Sequence, residues 1–191
     1  MIRSDNGAPF AAVHAPLGLS RLSAWWVALG IELDRGRPGH PQDHGGHERL
    51  HRDIEAELAG CVEADPARQQ AACDLWRETF NWERPHEALQ GRCPGQIYRK
   101  SERSFPAAPI RVDYGAGFFS RTISHAGCLR WCRQRFFIST SLTGWEVGLR
   151  YRDADHLDVW FGFLLLGELE LSTASFRGAA SRPPEVGLLS A

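Results

Sequence analysis

From Leu17 to Leu29 the apolar residues Leu19, Leu22, Trp25, Trp26 and Leu29 recur three and four positions apart. That spacing predicts one buried face of a helix, with Gly30 at its C-terminal cap. Ile31–Leu33 reads as a short strand, and the glycine- and proline-rich Gly36–Pro41 as a loop. A second helix is expected to begin near Asp43 or Gly46 and run through Glu57. A third should span about Ala67–Trp82, with Asp65 as its N-cap and Pro66 in its first turn. Residues 83–109, with Pro85, Pro94, Pro106 and Pro109, read as a connector. Beyond it the period shortens. Ile110–Val112, Phe118–Ile123, Leu129–Trp131, Arg135–Ser139, Glu146–Tyr151, Leu157–Phe163 and Glu168–Leu171 read as short strands, a spacing that suggests a small β-barrel. The segment after Phe176, rich in Gly, Ala, Ser and Pro, is expected to be a disordered tail. The division is therefore a mainly helical part over 1–105, a barrel over 106–175 and a tail over 176–191.

The chain has 191 residues, 43% of them hydrophobic, enough to build a core. Its net charge of -1 excludes a uniformly basic nucleic-acid binder, yet the charge is unevenly spread. Residues 1–91 hold 9 basic and 14 acidic side chains, residues 92–135 hold 9 and 2, and residues 136–191 hold 4 and 7. Lys100 is the only lysine, so the basic stretch is almost wholly arginine, whose planar group suits bidentate phosphate contacts. Five cysteines without a C-x-x-C pair give reduced thiols as the expected state. The most apolar run, Phe161–Leu166, is too short to cross a bilayer, so no membrane association is expected and a cytoplasmic location is.

Three segments could carry chemistry. Asp5, at the end of an apparent strand, is followed by Asn6-Gly7, a turn that would leave its carboxylate exposed. Glu48 and Arg52 share one face at the start of the second helix, where the bland reading is a surface ion pair four residues apart. Around Glu48, His47-Glu48-Arg49-Leu50-His51 also fits the H-E-x-x-H pattern of zinc peptidases. Two glycines stand directly before it, however, and its neighbours are too polar for a buried catalytic helix. The third segment runs from Trp76 to Leu89, where Pro85 ends a helix and Arg84 and His86 stand at its exit as potential phosphate donors.

Taken in order, Ser4-Asp5-Asn6-Gly7, Leu29-Gly30-Ile31, Pro38-Gly39-His40-Pro41, His47-Glu48-Arg49-Leu50-His51 and Asn81-x-x-Arg84-Pro85-His86-x-x-Leu89 resemble the insertion-sequence transposases of the retroviral-integrase superfamily. The resemblance runs from about Arg3 to Arg103, and the β-rich part resembles the small barrel that follows the core in one branch of these enzymes. It implies the second half of an RNase H-like α/β core, mainly helical with residual strands, followed by that barrel. Asp5 would be the second catalytic aspartate and Glu48 the catalytic glutamate, both holding Mg2+ or Mn2+. The partner would be DNA, contacted by Arg52, Arg84, His86, Arg130, Arg133 and Arg135, with a homo-oligomer assembled on transposon ends. The family's first aspartate lies tens of residues before the second, whereas only four residues precede Asp5 here. His44 also replaces the usual asparagine four residues before the glutamate. These departures imply a truncated, inactive fragment, with an upstream reading frame as the source of the missing half. A DNA-binding module without catalysis is the alternative, and a zinc peptidase a third reading.

Overall fold

The computed structural model describes residues 1–37, 40, 45–61 and 63–179. They form two compact units, one of Met1–His40 with Ala107–Ala191 and the other of Pro41–Pro106. The first forty residues therefore pack with the β-rich part, although sequence motifs group them with the helices that follow.

In the first unit, β1 (Ile2–Ser4) pairs in parallel with β2 (Leu33–Arg35), Ile2 opposite Leu33 and Ser4 opposite Arg35. Between them lies α1 (Arg21–Ala28), shorter than its hydrophobic period suggests. The reason is local. Leu17 and Gly18 adopt positive φ values of 52° and 63°, and Ser20 caps the helix by accepting from the Ser23 amide, while the Ser23 hydroxyl accepts from the Ser20 amide. β2 also starts two residues after the expected strand, because the Ile31 amide still donates to Trp26 at the helix end.

The β-rich part contains β3 (Phe119–Thr122), β4 (Cys128–Trp131), β5 (Gln134–Phe137), β6 (Glu146–Tyr151), β7 (His156–Phe161), β8 (Leu164–Glu170) and β9 (Ser175–Gly178). Five of these make an antiparallel sheet in the order β3-β6-β7-β8-β9, and β4 and β5 form a separate hairpin. The sheet is open. No hydrogen-bonded ladder closes it into a barrel among the described residues, although β4 packs beside β3 and β5 beside β9. Inward residues of the sheet and hairpin, among them Leu129, Phe136, Val147, Leu149, Val159 and Leu166, share one core with Leu19, Ala24 and Val27. α1 thus covers part of a sheet face that would otherwise be wet, burial being worth about 25 cal/mol per Å² of apolar surface.

Ile110–Val112 is not a strand; Val112 packs against the core from an irregular segment. β9 extends regular structure through Gly178, into residues whose composition suggested a tail, and residues 180–191 lie outside the described residues.

The second unit holds α2 (Gly45–Leu58), α3 (Pro66–Trp82) and the short α4 (Pro94–Ile97). α3 begins where the sequence says it should, with the Asp65 carboxylate accepting from the Ala67 amide and Pro66 in the first turn. No helix among the described residues is long and apolar enough to cross a membrane.

Candidate nucleic-acid and metal-binding residues

Asp5 stands one residue past β1 and is exposed. Its Oδ1 accepts the Gly7 amide at 3.0 Å, an Asx turn that points the chain away from the strand and leaves the second oxygen unused in this contact. Asn6 anchors that turn by donating to the Gly36 carbonyl beyond β2, at 2.6 Å. Strand pairing and the amide of Asn6 together hold the position of Asp5.

Glu48 lies in the first turn of α2, where the helix dipole favours a carboxylate. Both Glu48 and Arg52 are exposed, and no ion pair joins them among the described residues. The expected surface pair is thus not made. Asp5 belongs to the first unit and Glu48 to the second. His44 lies outside the described residues.

His47 and His51 stand one turn apart with their Nε2 atoms 3.0 Å from one another, both exposed. No third histidine, cysteine or carboxylate completes a cluster with them among the described residues. The group that does come together is Asp155, His156 and Glu170, whose candidate ligand atoms lie within 4.8 Å of one another. Two of the three are engaged by the fold. Asp155 accepts from the Ser172 amide and hydroxyl, and the hydrogen bond that His156 donates to the Asp153 carboxylate raises the pKa of His156.

Of the expected phosphate donors, Arg84 is engaged within its own unit. Its Nη2 lies 2.7 Å and 2.8 Å from the two carboxylate oxygens of Glu57, and its Nη1 lies 3.9 Å from Asp53. His86 is half-buried, stacked edge-on against Phe80, and its Nε2 is buried with no hydrogen-bond partner.

Arg130, Arg133 and Arg135 present a different picture. Arg130 faces Arg135 directly across the β4–β5 ladder, and Arg133 sits at the tip of the hairpin. The tip residues Cys132 and Arg133 have φ values of 46° and 66°, the left-handed pair of a two-residue turn more often built from Asn and Gly. All three arginines are exposed, and no ion pair involves any of them among the described residues. Like charges directly opposite on a sheet repel, so an anion between Arg130 and Arg135 would relieve a cost the fold carries. The two line a cleft of about 550 Å³ with Arg121, Ser124, His125 and Cys128. Arg121, which the motifs in the sequence do not single out, is held with its guanidinium 4.8 Å from the centre of the Trp131 ring. Its membership of the basic stretch is visible in the sequence, but its register beside Arg130 and Arg135 is not.

Comparison with known proteins gives these residues a context. Residues 29–94 match the integrase core domain family model, a stretch that holds Glu48, Arg52, Arg84 and His86 and begins after Asp5. Over 103 residues, 54% of this chain, the sequence is 33% identical to the Gag-Pol polyprotein of bovine immunodeficiency virus (strain R29). The chain spans 6% of that polyprotein's length. Over residues 29–94 the chain is thus similar to the integrase core domain family.

Proposed function

We propose that this chain takes part in DNA integration or transposition, supplying Asp5 and Glu48 as two of three metal-holding carboxylates and the β-rich part as a DNA-binding module. The observation that carries the reading is the integrase core match across Glu48 and the Asn81-to-Leu89 motif, with Asp5 in the family's order before them. The donor chemistry suits Mg2+ or Mn2+: both groups are exposed carboxylates, hard oxygen donors with no cation partner among the described residues. Such an ion, when bound, neutralises phosphate charge and acts as a Lewis acid at the phosphodiester.

The protein's own contribution is to hold one carboxylate at a strand end and the other at a helix start, and to keep DNA beside them. Arg52, one turn after Glu48, is free to meet a backbone phosphate. Arg130, Arg133 and Arg135, with no acidic partner among the described residues, would track the duplex from the β4–β5 hairpin beside the open sheet. In this reading the third carboxylate comes from outside residues 1–191. A product of an upstream reading frame would supply it, and the assembly on paired DNA ends would be a homo-oligomer.

The unpaired arginines of the hairpin also support a second reading, a DNA-binding module with no catalytic part. Incubating residues 1–191 with donor ends and target DNA in Mg2+ or Mn2+ separates the possibilities. The proposal expects salt-dependent binding without joining, and joining once a polypeptide carrying the first aspartate is added. Joining by residues 1–191 alone would overturn the two-of-three assignment. Joining that never appears, with DNA binding unchanged by Asp5→Ala and Glu48→Ala, would favour the module.

A further inference from the structure

In the second unit Glu57, near the C-terminal end of α2, joins two elements through its carboxylate. Both its oxygens accept from Arg84 Nη2, and Oε2 also accepts from the Trp76 indole at 2.9 Å. Arg84 adds a longer contact to Asp53, one turn earlier on α2, and its guanidinium lies 5.8 Å from the centre of the Phe80 ring. Phe80 in turn stacks on Trp76, with ring centres 4.9 Å apart. Asp53 and Glu57 are four residues apart, so they share a helix face. Trp76 and Phe80 have the same spacing on α3, and Arg84 follows just past the end of that helix. Two acids on one helix therefore meet one cation and two aromatic rings from the other element, with the Arg84 side chain only 33% exposed.

We propose that Arg84 is a positioning residue, clasping α2 to α3 through Glu57 and Asp53 and thereby setting the helix that presents Glu48, and that it is not a DNA contact. Both contacts to Glu57 come from the single nitrogen Nη2, and what the guanidinium adds over an ammonium is a second nitrogen, Nη1, held 3.9 Å from Asp53 at the same time. A phosphate at Arg84 would compete with Glu57 and Asp53 for the guanidinium. The proposal rests on the functional reading for the role of Glu48, but the clasp itself does not.

The test uses the 191-residue chain and three readouts. Thermal unfolding of Arg84→Ala, Glu57→Ala and the double variant reads the coupling. The expected result is that the double variant melts no lower than the worse single variant, with Arg84→Lys between parent and Arg84→Ala. Binding to a fixed DNA duplex across a salt series reads the phosphate role. Arg84→Ala should leave the slope of log K against log salt unchanged, whereas removing an arginine that does bind phosphate lowers it by about 1. Additive melting losses, or a slope lowered in Arg84→Ala, would each overturn the clasp. Mn2+ titration followed by electron paramagnetic resonance reads the link to Glu48. Arg84→Ala and Glu57→Gln should weaken binding about tenfold, as loss of groups that orient a ligand does, with partial recovery in Arg84→Lys. Mn2+ binding that ignores Glu48→Gln would sink the functional reading while the first two readouts still judged the clasp. Binding that depends on Glu48 but not on Arg84 or Glu57 would overturn the positioning role.

Discussion

Tyr114 shows how one side chain fastens an irregular segment to the sheet. Its hydroxyl donates to the Glu146 carbonyl at 2.8 Å, and its ring lies over Gly148, where any Cβ would collide with it. Burial, more than any other influence, pushes its pKa up to about 12. A group whose folded value is raised contributes stability that is complete below its unfolded value and is lost as pH rises through the folded one. The first unit should therefore hold its urea midpoint up to about pH 10 and lose it progressively toward pH 12, with a smaller loss in Tyr114→Phe. Gly148→Ala should cost about 1–3 kcal/mol by overpacking against the ring. At Gly127, with φ of 72°, a Cβ would lie 2.7 Å from the backbone of Ser139 and Thr140. Gly127→Ala should destabilise by more than about 1 kcal/mol, the left-handed conformation alone costing that much, and denaturant unfolding would read it.

At the scale of elements, the contact between α2 and α3 carries a pH signature of its own. The hydrogen bond from Arg84, the largest influence, lowers the pKa of Glu57 below its ordinary 4.5. A depressed carboxylate stabilises the fold above its unfolded value, and that contribution fades as pH falls through the folded one. Amide protection in α2, taken relative to the intrinsic exchange rate at each pH, should thus fall on acidification below about pH 4.5, and Glu57→Gln should flatten the change. A response in α2 that is identical in parent and Glu57→Gln would count against the contact. The elements with strong local signals were readable from sequence: α3 through Asp65 and Pro66, and β6 through its alternation, which ends at the expected Glu146 and Tyr151. Those that depend on distant partners were not. β9 exists because its residues pair with β8, Phe176 opposite Leu169, and nothing in the local composition announces that. Arg84 read as a phosphate donor because its partner Glu57 lies 27 residues away. Asp5 and Glu48 stood out only through an ordered set of motifs, since an exposed carboxylate beside a turn or at a helix start is ordinary by itself.

For the whole molecule, a net charge of -1 conceals a basic stretch over 92–135, and three of its arginines meet on one cleft of the β-rich part. If that cleft holds DNA, Arg130→Ala and Arg135→Ala should each reduce the salt slope of duplex binding by about 0.9 for every phosphate left without its arginine. Equal slopes for parent and both variants would remove the cleft from the interface. The units themselves divide the proposed chemistry, with Asp5 in one and Glu48 in the other. The central claim, that Asp5 and Glu48 are metal-holding carboxylates, is tested most directly by titrating the chain with Mn2+ and following free ion by electron paramagnetic resonance. The expected result is binding that is lost in both Asp5→Asn and Glu48→Gln while circular dichroism stays that of the parent. Binding unchanged in either variant, or none in the parent, would contradict the claim.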